Sequence, residues 1–185
     1  MNTKIKIKNI NVNALIRTKE FKIGFIAIMA LFFFLFAKKT FIYLFFIAFT
    51  AFIIYYTKLY HVPVDVSPLF FLEIVITRYY GIQYTLLYIL LAYIVPKTFA
   101  GTNMKVDSYV FISISMLANA FALIFPTMPL MLVGFLTSIV QYFGGIFYNT
   151  INRPLFIAIA DGIANVLNNI IWFLLFSDVI VWLFR

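Results

Sequence analysis

Asp161, Asn165 and Asn168 follow one another at spacings of four and three inside an almost wholly apolar run, Leu155–Leu175. On an α-helix those spacings put the three side chains on one face, with Asn169 beside them. A carboxylate and a ladder of amides can hold a polar ligand through several hydrogen bonds. They can equally fasten one membrane helix to the next. Glu73, within the apolar stretch Leu69–Thr77, poses the same choice. It either pairs with Arg78 near the lipid headgroups, or faces a cavity where it holds a cationic or hydrogen-bonding ligand. The chain has only six acidic residues, so each one placed among apolar neighbours is informative. An unpaired carboxylate in hydrocarbon costs several kcal/mol, which turns such groups toward a bundle interior or a wet cavity.

Other polar groups that could share a site with these are Asn119 and Gln141, in separate apolar runs, and Gln83, Tyr84 and Tyr88, together in Ile82–Val95. Asn119 has the same two readings as the Asn stripe. Tyr79 and Tyr80 read as interface anchors, and the phenols of Tyr84 and Tyr88 as hydrogen-bonding groups or further anchors. Glycines and alanines such as Gly134, Gly144, Ala118 and Ala158 permit close helix packing without specifying chemistry.

Catalytic signatures are missing. There is no cysteine and a single histidine, His61, so thiolate chemistry and a histidine-built metal centre are not expected. No phosphate-gripping glycine loop or nucleophile elbow occurs, and no cofactor is expected. A lipid-headgroup enzyme using Glu73 and Asp161 is the least favoured class.

The elements that carry these residues are membrane helices. Hydrophobic residues make up 65% of the 185 and charged residues 11%. A bilayer core about 30 Å thick needs roughly 20 helical residues, with about 17 as the lower edge. Runs of that order fall at Phe21–Ala37, Phe41–Tyr56, Ile82–Val95, Ser108–Phe125, Leu130–Tyr148 and Leu155–Leu175. Lys38-Lys39-Thr40 reads as a tight turn joining two antiparallel helices, and Pro96–Asp107 as a loop, while Ser177–Arg185 either extends the last span or lies at the interface. Between Pro63 and Gly81 the pattern is irregular. Pro63 and Pro68 bracket Val64-Asp65-Val66-Ser67, Val66–Thr77 is expected to form one short helix, and Arg78-Tyr79-Tyr80-Gly81 breaks it. Irregular backbone at membrane depth survives only when buried in protein or lining a cavity, so this segment is the first place to look for function. The expected fold is an all-α polytopic bundle of six or seven crossings over 21–185, after a basic segment at 1–20.

The formal charge of +8 does not point to nucleic acid. Six of fourteen basic residues (Lys4, Lys6, Lys8, Arg17, Lys19 and Lys22) precede the first apolar run and suit anionic headgroups on the cytoplasmic side of the cell membrane. Lys38 and Lys39 would then lie outside, against the positive-inside tendency.

Val64-Asp65-Val66-Ser67-Pro68-Leu69-Phe70-Phe71-Leu72, followed by Gly81 and a new helix, resembles the loop-to-second-helix region of the substrate-binding S subunits of energy-coupling-factor (ECF) vitamin transporters. The layout over Phe41–Leu175 is similar to that family and, more loosely, to the MreD-like cell-shape family. Leu72–Gly81 departs from the S-subunit pattern by lacking its small residues and Gly-Pro break. The resemblance carries Asp65, Ser67, Pro68 and Gly81 onto the ligand-closing loop, and implies that Asp161, Asn165 and Asn168 face the ligand. It implies a subunit that captures a vitamin-like or small polar solute and works with a transmembrane coupling subunit and ATPase subunits. The candidate binding set is therefore Asp65, Ser67, Glu73, Tyr84, Asn119, Asp161, Asn165 and Asn168. The rival class is a membrane scaffold or envelope-assembly protein whose polar residues only join helices.

Overall fold

The computed structural model describes residues 19–62, 66–152 and 154–185. Asp65 lies outside the described residues, as do Lys4, Lys6, Lys8 and Arg17 of the basic segment. The protein is an all-α, polytopic membrane bundle. Its helices are α1 (Lys19–Leu59), α2 (Leu69–Tyr79), α3 (Ile82–Phe99), α4 (Val106–Ile124), α5 (Leu130–Asn152) and α6 (Leu155–Leu183).

Five stretches among the described residues are long and apolar enough to cross a bilayer: Ala37–Leu59, Ile82–Phe99, Val106–Ile124, Leu130–Ile151 and Leu155–Leu183. Large apolar side chains such as Phe52, Leu86, Leu117, Phe147 and Leu175 stand exposed on these helices. So much exposed hydrocarbon suits lipid and not water.

The chain divides into two compact units, Met1–Tyr43 and Leu44–Arg185. The described part of the first is the beginning of α1, where Ile23, Phe25, Ile26 and Ile28 are exposed. The second holds the rest of α1 and all the other helices.

Two of the long helices differ from the sequence expectation. Lys38-Lys39-Thr40 is helical, so the expected turn is absent and α1 runs for 41 residues. Lysine is a good helix former, and no proline or glycine interrupts the backbone there. The third helix does not stop at Val95 but continues through Pro96 to Phe99, by way of a π-helical turn at Leu90–Ile94. Proline removes an amide and crowds the preceding turn. The wider turn accommodates this, with the Val95 amide bonding the Leu90 carbonyl five residues back. The last helix, α6, continues past Leu175 to Leu183, one of the two courses open to Ser177–Arg185.

The short helix is as expected in kind, although it begins at Leu69 and not Val66. At 11 residues it is about 16 Å long, roughly half the bilayer core. Every residue from Phe70 to Thr77 is buried. A helix apolar on all sides belongs inside a bundle, and α2 is packed among α3, α4, α5 and α6. Gly81 ends the segment with φ 101° and ψ 159°, a conformation open in practice only to glycine. The α5–α6 pair approaches closely at Gly134, where a Cβ would collide with the Phe173 ring. Phe173 is itself held edge-on to Phe71 of α2, with centroids 4.9 Å apart.

Candidate functional site

A cavity of about 260 Å³ opens against α2. Its walls come from every helix of the second unit except α1. The segment before α2 and its first turns supply Ser67, Leu69, Phe70 and Glu73, and the π-turn of α3 supplies Tyr93. From α4 come Asp107, Ser108, Phe111, Ile112 and Ser115. The remaining wall is amide-rich, with Gln141 from α5 and Asn165, Asn168 and Asn169 from α6.

Glu73 lies deepest, 2% exposed. Ser115 Oγ donates a short hydrogen bond to its Oε2, and Asn119 Nδ2 donates another at 3.0 Å. Both bonds fall on one oxygen, so Oε1 keeps its acceptor capacity. Among the described residues no lysine, arginine or histidine pairs with Glu73. The alternative that it pairs with Arg78 is corrected here. A five-residue spacing on a helix turns Arg78 away from Glu73, and its Nη2 donates instead to the Pro126 carbonyl at 2.9 Å.

Behind Glu73 the polar chain continues into the bundle. Asn119 is fully buried; its Oδ1 accepts from Thr77 Oγ1 at 2.8 Å, and its Nδ2 also donates to the Ser115 carbonyl at 2.9 Å. Thr77 and Thr85 hydroxyls lie 2.7 Å apart. The line Thr85–Thr77–Asn119–Glu73–Ser115 thus stitches α3, α2 and α4 together, each member with a partner. At the α4 end of the cavity, Lys97 Nζ donates to Ser108 Oγ at 2.7 Å and Tyr93 Oη at 3.2 Å, and stands 5.1 Å from the Tyr93 ring centroid. Tyr148 Oη donates to Asp107 Oδ1 at 2.8 Å. On the amide wall, Asn169 Nδ2 donates to Gln141 Oε1 at 2.8 Å, joining α6 to α5. Asn168 Nδ2 reaches the Ser67 carbonyl at 3.2 Å, and Trp172 Nε1 the Val66 carbonyl at 3.3 Å. The last residues before α2 are thereby strapped to α6.

Of the eight residues singled out from sequence, Ser67, Glu73, Asn165 and Asn168 line this cavity. Asn119 supports it from behind through Glu73. Tyr84 is 42% exposed on α3, away from the cavity, near Tyr80. Asp161 does not line it either and is exposed on α6. The helical-face reading holds for Asn165 and Asn168, but depth separates them from Asp161. Asp161 is six residues from the start of α6, about 9 Å along the axis, near one end of a 29-residue helix.

Sequence reasoning missed Tyr93, Asp107, Ser108 and Ser115. The Ser115–Asn119 spacing of four was a usable signal for a shared face. Lys97 was hidden by reading Pro96 as the end of a helix. Chemically, the arrangement offers one buried carboxylate, a second, half-buried one next in sequence to the serine that Lys97 bonds, four amides and three aromatic rings. That is a set suited to gripping a small polar molecule. The two carboxylates have no third metal-ligating partner among the described residues. No protein-family model, curated protein or solved structure matches the chain.

Proposed function

We propose that this membrane protein is the substrate-capture subunit of a small-molecule transporter, binding a small polar solute in the cavity beside α2. One observation carries the reading: a cavity of about 260 Å³, with apolar and polar walls, that is lined by a buried glutamate on a half-length helix enclosed by four others. Small-molecule sites are usually concave, with a few convergent polar groups among apolar walls. Half-length helices at membrane depth are likewise associated with solute sites. The resemblance of Val64–Gly81 to the S subunits of energy-coupling-factor transporters adds the expectation that a coupling subunit and ATPase subunits drive uptake.

The test is retention of a small molecule by the full-length protein, read by native mass spectrometry from lipid nanodiscs, with an Asn165→Phe variant that fills the cavity. Asn165 is exposed at the cavity wall, so the variant is expected to keep the wild-type melting temperature and lose the bound species. Absence of any retained or added small molecule on the wild-type protein would remove the proposal. A scaffold reading is favoured by the Thr85–Thr77–Asn119–Glu73–Ser115 chain, which joins three helices with each member bonded. Under it, Asn165→Phe changes nothing measurable.

A further inference from the structure

The charges around the cavity narrow what it accepts. Among the described residues Glu73 and Asp107 are its two lining acids, and no basic side chain lines it. The nearest ammonium, that of Lys97, is turned onto Ser108 and Tyr93 at the same end as Asp107, so the formal charges of that corner offset one another. Glu73 at the deep end has only neutral donors, both on Oε2. A buried carboxylate with an oxygen to spare is completed by a charge-assisted hydrogen bond from a cation. The rings of Phe70 and Phe111 on the walls offer faces that attract organic cations. A volume near 260 Å³ far exceeds a bare metal ion and suits a molecule of around ten non-hydrogen atoms.

Resting on the capture reading, we infer that the ligand is a small organic cation whose ammonium or amidinium group binds Glu73, while its polar remainder bonds the amides of Gln141, Asn165 and Asn168. An anionic ligand would be repelled by Glu73, and a neutral one would leave the carboxylate without a counter-charge.

The experiment is a binding screen of the full-length protein in phosphatidylglycerol nanodiscs, a lipid without an amine. Small primary amines and amidines are compared with neutral alcohols of the same shape and with the matching carboxylates. Binding confined to the cations is expected, and Glu73→Gln is expected to weaken it about 10- to 100-fold, as loss of one charge-assisted hydrogen bond does. Added phosphatidylethanolamine that displaces the bound amine would identify a lipid headgroup as the source of the same ammonium chemistry. Preferential binding of neutral or anionic compounds, or amine binding unchanged in Glu73→Gln, overturns the cation assignment while leaving capture intact. Binding by none of the three classes overturns both. The wild-type comparison decides between ligand classes even where Glu73→Gln fails to fold, which circular dichroism would reveal.

Discussion

Removing the two donors of Glu73 together is expected to cost far more than the two single losses imply. Asn119→Leu, close in size, deletes interhelical bonds to Thr77 and Glu73. Thr77 keeps Thr85 as a partner and Glu73 keeps Ser115, so nothing is orphaned. Interhelical hydrogen bonds in membranes average about 0.6 kcal/mol each, which puts this variant near 1 kcal/mol of lost stability. Ser115→Ala leaves Asn119 on the carboxylate and is expected to cost about 1 kcal/mol by the same reasoning. The double variant leaves Glu73 without a donor among the described residues, which adds the penalty of an unsatisfied buried acceptor, about 1–3 kcal/mol, to the two single losses. An excess of about 2 kcal/mol over additivity is the expected coupling. Converting Glu73 to Leu in the double variant should recover most of the loss, because no charge is left to satisfy. The assay is reversible unfolding in mixed micelles by SDS titration, followed by far-ultraviolet circular dichroism. Additivity within about 0.5 kcal/mol, or no recovery on Glu73→Leu, would refute the argument that these donors exist to hold a buried carboxylate.

Other outcomes follow from single contacts. Gly81→Ala is expected to cost about 1–3 kcal/mol through backbone strain alone, because a Cβ there touches nothing within 4 Å while φ is 101°. An Asn at the same position should not rescue it, as measured in the same SDS titration. Gly134→Ala should cost about 1–3 kcal/mol by overpacking against Phe173, with partial recovery when Phe173→Leu is added. Asp161→Asn should leave solute binding within about twofold of wild type, because Asp161 is exposed outside the cavity; a tenfold loss in a calorimetric titration would reinstate it as a ligand group.

Much of the architecture was legible because hydrocarbon thickness sets helix length. The apolar runs at Ser108–Phe125 and Leu130–Tyr148 match α4 and α5 to within a few residues. The short helix was marked by Pro68 before it and Gly81 after it. The errors have local causes. Two lysines in an apolar run look like a polar turn, yet they are also compatible with continuous helix, and in α1 the backbone does not break. Pro96 looks like a terminus, but a π-turn lets a helix carry a proline forward, and the residues past it were therefore assigned to a loop. In the site, period 3.6 correctly grouped Asn165 with Asn168. It says nothing of how far along the axis a cavity reaches, which is why Asp161 was grouped with them. Glu73 could be read from sequence as notable, but its donors could not, since they lie 42 and 46 residues away.

That separation has a consequence for how the chain is made. At about 5–20 residues per second, the ribosome finishes Asn119 some 2–9 seconds after Glu73. In that interval an 11-residue segment, too short to be held across the bilayer, carries an acid whose donors do not yet exist. The segment therefore has to wait beside the insertion machinery or at the headgroup surface, and to slot inward only after later helices arrive. Docking of α2 is thus a late event of biogenesis, and shortening the chain before α4 should leave this piece sensitive to added protease while the preceding span stays protected.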